Sequence, residues 1–321
     1  MLDDNNLNEL AEATSQHLNL SQHAVKKDFY VTQALQVLTR IKDDYFSLVF
    51  QGGTSLSKAY QAIRRLSEDI DFRVVQSPAA LALGKDARRK RLRHFRHRLI
   101  QVLQDSNFVV DTDDVNVLYE GRFMSIKATY DEAEHAIYLK PHIAIDCFLG
   151  DIILPSQSHD VTTLIKLTLG EKCQHVSFPV VCIAIDETAA EKWVALTRRI
   201  ANAEIAPKFF DKHLVRHLYD LHKLVHGNLL TGEYSHIVSD IINKDKQQFK
   251  HVNATYADDP IAVSRDALES LLKNNAWREH WNEFLTQMVY EEEKPSFETA
   301  YESLNMLSDS IFTSLKSDNN R

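Results

Sequence analysis

Between residues 46 and 75 the spacing of hydrophobic positions changes twice. Phe46-Ser47-Leu48-Val49-Phe50 is a short apolar run of the kind that forms a buried strand, and Gly52-Gly53 closes it abruptly. Leu56, Ala59, Tyr60 and Ile63 follow at i, i+3, i+4 and i+7, the spacing of one helical face. Asp69-Ile70-Asp71-Phe72-Arg73-Val74 then alternates polar and apolar, as a half-buried strand does. The pattern predicts strand, glycine turn, helix, strand. Around this segment it predicts helices over residues 7–18 and 25–41, a basic helix over 78–103, and strands over 122–130, 137–148 and 178–185. A loop-rich passage follows Gly150. Past Asp186 the period is almost wholly helical: Thr188 with Glu191 three residues on reads as a capping box opening a helix through Ala201. Leu214, Leu218, Leu221 and Val225 mark the next helix, and Trp277, Trp281, Phe284 and Met288 another. Phe297, Tyr301, Leu304, Leu307 and Ile311 mark the last. The change of pattern at 186 predicts an α+β lobe over 1–186 and an all-helical lobe over 187–321.

Composition narrows the class. The chain has 321 residues, 44 % hydrophobic and 26 % charged, with 8 Gly and 7 Pro, a helix-leaning globular profile with ample core material. No window approaches the roughly 18 consecutive apolar residues of a membrane span. Met1-Leu2-Asp3-Asp4 carries acid where a signal peptide carries base, so a cytoplasmic protein is expected. Cys147, Cys173 and Cys182 are odd in number and fit no C-x-x-C pattern, which predicts buried or free thiols. The net charge is −8, yet residues 85–98 hold eight Lys/Arg against one Asp, a local +7 that leaves −15 for the rest. An acidic chain with one dense basic segment binds a polyanion at a place rather than everywhere. Arg88, Arg89, Lys90, Arg91, Arg93, Arg96 and Arg98 are the candidate nucleic-acid contacts; the bland alternative is a solvated helix neutralised by the acidic remainder.

The candidate chemistry lies at the glycine turn. Two of eight glycines sit where a strand must become a helix, letting backbone approach a ligand, and a helix N-terminus attracts phosphate. Thr54 or Ser55 is positioned to cap that helix and reach a phosphate oxygen. Asp69 and Asp71, two apart on a predicted strand, leave one face, and two carboxylates side by side call for a cation such as Mg²⁺ (or Mn²⁺) shared with substrate phosphates. A glycine turn and short helix leading to D-x-D resembles the polymerase-β-type nucleotidyltransferase core. A third acid is needed near such a pair, and Asp146, alone in the apolar run Ile143-Ala144-Ile145-Asp146-Cys147-Phe148, is the candidate third metal ligand and base. Lys140, six residues earlier on the same predicted strand face, is a candidate to contact phosphate. Their ordinary alternatives are a strand-end acid facing water and an exposed lysine beside Pro141.

The segment from Gly52-Gly53-Thr54-Ser55-Leu56-Ser57-Lys58-Ala59-Tyr60 to Arg65-Leu66-Ser67-Glu68-Asp69-Ile70-Asp71-Phe72 closely resembles the AbiEii/AbiGii-type nucleotidyltransferase toxins of type IV toxin–antitoxin systems. Val25-Lys26-Lys27-Asp28-Phe29-Tyr30, Ala190-Glu191-Lys192-Trp193-Val194-Ala195-Leu196 and Arg216-His217-Leu218-Tyr219-Asp220-Leu221 resemble further landmarks of that family. The resemblance implies an NTP as substrate, bound through Gly52, Gly53, Thr54, Ser55, Ser67, Lys140 and Lys192. It implies catalysis by Asp69, Asp71, Asp146, Lys192 and Asp220, in a cleft between a mixed-sheet lobe and a helical lobe. Lys192 would neutralise charge on the leaving group. His217 stands where the family pattern has Asp, so the fourth-motif role falls to His217 or Asp220; Asp220 is favoured, against the alternative of an exposed Arg216–Asp220 pair. The implied acceptor is a tRNA 3′ end, whose extension stops translation, and the implied antitoxin opposes the toxin without stable contact. Rival readings are transfer to a protein or small molecule, and a nucleotide-binding regulator without turnover.

Overall fold

A computed structural model describes residues 4–130 and 139–318. The chain divides into two compact units: Met1–Gln61 with Arg65–Ile183, and Ala62–Arg64 with Ala184–Arg321. The first is built on an eight-stranded mixed sheet: β1 (Phe46–Gln51), β2 (Asp69–Gln76), β3 (Val109–Val110), β4 (Asn116–Leu118), β5 (Phe123–Thr129), β6 (Ile143–Leu149), β7 (Gln157–Val161) and β8 (Phe178–Cys182). Their order across the sheet is β3-β5-β6-β2-β1-β8-β7, with β4 also paired to β5. β2 runs parallel to β6 and antiparallel to β1, and β5 runs antiparallel to β6.

Alternation along β2 decides what each face of this sheet does. Ile70, Phe72 and Val74 point into a core completed by Leu35 and Leu38 of helix Gln22–Thr39 and by Leu92, Phe95 and Leu99 of helix Lys85–Gln104. Asp69 and Asp71 therefore point to the other face. Every Arg and Lys of the basic helix lies outside its buried stripe of Leu92, Phe95, Leu99, Ile100 and Leu103. That helix thus backs the sheet on the side opposite the carboxylates.

Several expected boundaries move. The helix after the glycine turn is short, Gly52–Lys58: the amides of Ala59 and Tyr60 both fall on the Ser55 carbonyl and Gln61 is left-handed, which ends the helix before Ile63. The basic segment is two helices, Pro78–Leu81 and Lys85–Gln104, because Gly84 turns extended between them. The strand expected from 137 begins at Ile143, with Lys140 in the bend before it; residues 137 and 138 lie outside the described residues. The loop-rich passage after Gly150 contains β7 and helix Leu164–Leu169.

The second unit is helical: Ile185–Ile205, Val215–His226, Tyr234–Phe249, Ala254–Asp258, Pro260–Lys273, Asn275–Met288 and Phe297–Asp318. Residues Ala62–Arg64 join it, the Tyr290 amide bonding to the Arg64 carbonyl. The apolar run from Phe178 ends as a strand at Cys182, and Ile185 already opens the long helix. Thr188 is therefore an interior helical residue and no capping box forms. The first-turn Asp186 instead accepts the amides of Thr231, Gly232 and Tyr234. Trp277 and Trp281 are core residues, as their helical spacing suggested, and Trp193 is buried as well. The three cysteines are buried and free. Among the described residues no helix is long and apolar enough to cross a membrane.

Candidate active site

Gly52 is the first element of the site. Its φ of +80° is left-handed, and a Cβ there would strike the Asp71 carboxylate. Backbone and acid are thus in contact, which only glycine permits. At Gly53 the space a Cβ would fill holds the Arg65 guanidinium, a buried cation directly under the turn, with Nη1 donating to the Leu66 carbonyl at 3.0 Å. The diglycine is needed twice over, once for a left-handed backbone and once for close approach.

The turn is fastened to β2 by its own hydroxyls. Thr54 Oγ1 donates to the Asp69 carbonyl and sits 2.7 Å from Ser67 Oγ, which must then be the donor of that pair. Neither Thr54 nor Ser55 caps the helix: its N-cap is Gln51, with no side-chain bond. Ser55 is fully buried beside the Cys182 thiol. The expectation of a capping hydroxyl fails because the Thr54 hydroxyl is spent on β2 and the Ser55 hydroxyl is buried without a hydrogen-bond partner among the described residues. Lys58, at the helix end, is buried and bonds Asp28 and, at 2.7 Å, Thr32 Oγ1; the second Asp28 oxygen accepts the Leu164 amide at 2.8 Å.

Register supplies the third acid. Asp71 pairs directly with Asp146 across the parallel β2–β6 ladder, and Gln51 with Asp71 across β1–β2. Lateral partners project to one side of a sheet, so Asp69, Asp71 and Asp146 share a face. Burial raises the Asp146 pKa, and the like charge of Asp69 adds to this against the Ser125 hydroxyl and Lys140. Asp146 Oδ1 is buried without a hydrogen-bond partner among the described residues.

Lys140 does not extend β6, yet its ammonium lies 2.9 and 3.1 Å from the two Asp69 oxygens. It is held there by groups the sequence did not mark. The buried Lys27 ammonium donates to the carbonyls of Lys140 (2.7 Å) and His142, and Glu68 accepts the Lys140 amide at 2.9 Å. Burial lowers the Lys27 pKa to about 8, against the opposing charges of Glu68 and Asp69. Lys27, Asp28, Lys58, Arg65 and Glu68 all sit inside the motifs quoted above. Only their burial makes them scaffold, and burial is not written in local sequence.

Whether these carboxylates suit a divalent cation is decided by their surroundings. Among the described residues no group of three or more His, Cys, Asp and Glu side chains forms a ready metal cage. Asp69 is turned to Lys140, while Asp146 keeps one orphaned buried oxygen opposite Asp71. A buried carboxylate oxygen without a partner is costly. That donor set fits Mg²⁺, which takes one or two carboxylates and completes its shell with phosphate oxygens and water. A cavity of about 490 Å³ lined by Phe29, Gln33, Arg40, His175 and Phe178 lies elsewhere and contains no carboxylate.

In the helical unit, Lys192 and Asp220 form a buried ion pair, Nζ to Oδ2 2.8 Å, with Asp220 fully enclosed. The alternative of an exposed Arg216–Asp220 pair is thereby overturned, and Lys223 of the same stripe pairs with Glu291 at 2.6 Å. Of His217 and Asp220, it is Asp220 that salt-bridges the motif lysine. On the basic helix, Arg98 pairs with Asp43 at 3.0 Å, Arg91 covers the Tyr45 ring, and Arg96 donates to the Gly121 carbonyl. Arg88, Arg89, Lys90 and Arg93 have no carboxylate within ion-pair distance among the described residues, so the acidic remainder does not neutralise them locally.

No curated protein matches this chain. A family model described as nucleotidyl transferase AbiEii toxin, type IV TA system, matches residues 36–303. That stretch contains the glycine turn, all three aspartates and the Lys192–Asp220 pair, and the chain belongs to the AbiEii nucleotidyltransferase toxin family.

Proposed function

We propose that this toxin transfers a nucleoside monophosphate from an NTP to the 3′-hydroxyl of a tRNA, blocking translation. The observation that carries the reading is the contact of Gly52 with Asp71, which itself faces Asp146 across the ladder. A phosphate-binding corner, an acid pair and a desolvated third acid are then within one side-chain layer.

The amides of Gly52 and Gly53 hold the triphosphate, with the Arg65 charge beneath them favouring its oxygens. Asp71 and Asp146, with Asp69, would hold Mg²⁺; when bound, the ion supplies Lewis-acid stabilisation of phosphoryl charge. Asp146, whose proton affinity is raised by burial, takes the proton of the acceptor hydroxyl. The acceptor oxygen forms a bond to the α-phosphorus, the bond from that phosphorus to the bridging oxygen breaks, and pyrophosphate leaves. Lys140 shifts from Asp69 toward phosphate as the nucleotide arrives. The family resemblance gives Lys192 a part in neutralising the leaving group.

Incubation with α-labelled NTPs, Mg²⁺ and either bulk tRNA or whole-cell lysate tests the acceptor. Label in tRNA with matching pyrophosphate release is expected. Label confined to protein bands, or to small molecules, would reject the tRNA acceptor, and nucleotide binding without pyrophosphate release would reject turnover.

A further inference from the structure

The basic helix poses a problem of placement, since it backs the sheet on the face opposite the carboxylates. The sheet edge resolves it. The row that carries Asp71 and Asp146 continues through Ser125 of β5 to Asn116 of β4. Two residues along, a second row on the same face runs Arg73, Phe148, Phe123, Leu118. Phe148 and Phe123 are only half-buried, Leu118 is 42 % exposed and Tyr119, just past it, 58 % exposed. Aromatic and apolar surface therefore extends from beside Asp146 to the edge of the sheet, where strands usually carry charge or proline.

At that edge the chain turns through three consecutive left-handed residues, Tyr119, Glu120 and Gly121. Two of the three are not glycine, a conformation that side chains resist. The turn is tied to the basic helix by Arg96, which donates to the Gly121 carbonyl at 3.3 Å. Arg89, Arg93 and Arg96 stand at i, i+4 and i+7 on one face of the basic helix, and burial, then the like charges of Arg93 and Arg89, lower the Arg96 pKa. The turn thus joins an aromatic front to a cationic back.

We propose that this edge is a track for a single nucleic-acid strand, with its 3′ end at Asp146, its last bases on Phe148, Phe123 and Tyr119, and its phosphates on Arg96, Arg93 and Arg89. The track rests on the transfer reading above and names how the acceptor is held. Aromatic faces stack on any unpaired base, whereas a paired base hides its faces in the duplex. A flexible strand rounds a sheet edge from one face to the other. An anionic lipid surface, being flat, reaches the arginines or the phenylalanines but not both.

Fluorescence anisotropy with a labelled single-stranded RNA of about ten nucleotides, free at its 3′-hydroxyl, tests the track. The same sequence as a blunt duplex and phosphatidylserine vesicles are the controls. The single strand is expected to bind best. Phe123→Ala, Phe148→Ala and Tyr119→Ala should each weaken it by about 5- to 100-fold, the span of one base–aromatic stack. Tyr119→Phe and Phe123→Trp, which keep a ring, should retain it. Arg89→Glu with Arg93→Glu should weaken binding and flatten its dependence on log salt. If Phe123→Ala fails to fold, Phe123→Leu removes the ring while keeping bulk. Binding unchanged in all the alanine variants, preference for the duplex, or binding to vesicles in place of RNA would overturn the track. Binding that falls in these variants while no labelled nucleotide ever reaches RNA would keep the track and reject the transfer reading. Undiminished transfer to tRNA in every variant would do the reverse.

Discussion

Gly52 is the residue at which backbone geometry and chemistry meet. Gly52→Ala puts a Cβ against the Asp71 carboxylate and a side chain on a left-handed backbone. A left-handed non-glycine residue costs about 1–3 kcal/mol where nothing else compensates. The variant should therefore unfold at lower urea and lose nucleotide transfer together, and a Gly52→Ala protein with wild-type stability and rate would contradict the contact. In the helical unit the decisive residue is Asp220. Asp220→Ala leaves the Lys192 ammonium buried without its carboxylate, a loss of about 3–5 kcal/mol, whereas Asp220→Leu with Lys192→Met removes both charges and should recover much of it. Urea midpoints of the single and double variants separate the two cases. The residues hardest to read from sequence were of this buried kind. Lys27, Asp28, Lys58 and Glu68 look like solvated charges in a string of letters, and their partners lie tens of positions away.

Elements were legible where the pattern was local and long. The strand, glycine turn and second strand of 46–76 follow from period and from two adjacent glycines, and the structure forms them. Three strands escaped: Val109–Val110 and Asn116–Leu118 are too short to alternate, and Gln157–Val161 is polar at an edge. The helix expected to reach Ile63 stops at Lys58, because residues 62–64 are committed to the helical unit. The pairing of Asp71 with Asp146 belongs to long-range register, which no local period specifies. The lead into β6 is held by helix Gln22–Thr39 through Lys27, and this makes a prediction at the same scale. Lys27→Met strips two carbonyls of their donor and Glu68 of an ion-pair partner, and should lower stability by about 1–3 kcal/mol, read as a urea midpoint shift without a change in slope. A variant as stable as wild type would show that the clamp does not hold residues 140–142.

For the whole molecule, acid should weaken folding through the helical unit. His222, buried with Nδ1 2.8 Å from Ser303 Oγ, has its pKa lowered to about 4 by burial, and by His226 and Lys223. Between pH 6.5 and 4 the unfolded chain binds a proton that the folded one refuses, so this contribution is intact above pH 6.5 and lost on descending to 4. The slope is at most about 1.4 kcal/mol per pH unit, and His222→Gln should remove it from a series of urea melts. The family places the chain among nucleotidyltransferase toxins, and the function proposed above rests on Asp71, in contact with Gly52 and laterally paired with Asp146. The most direct test is pyrophosphate release in a single turnover by Asp71→Asn, compared with the wild-type protein at equal thermal stability. The substitution keeps shape and removes charge; it should slow release at least about 100-fold, as loss of a group acting on developing charge does. A rate within a few-fold of wild type would mean that the reaction is carried out somewhere else on the molecule.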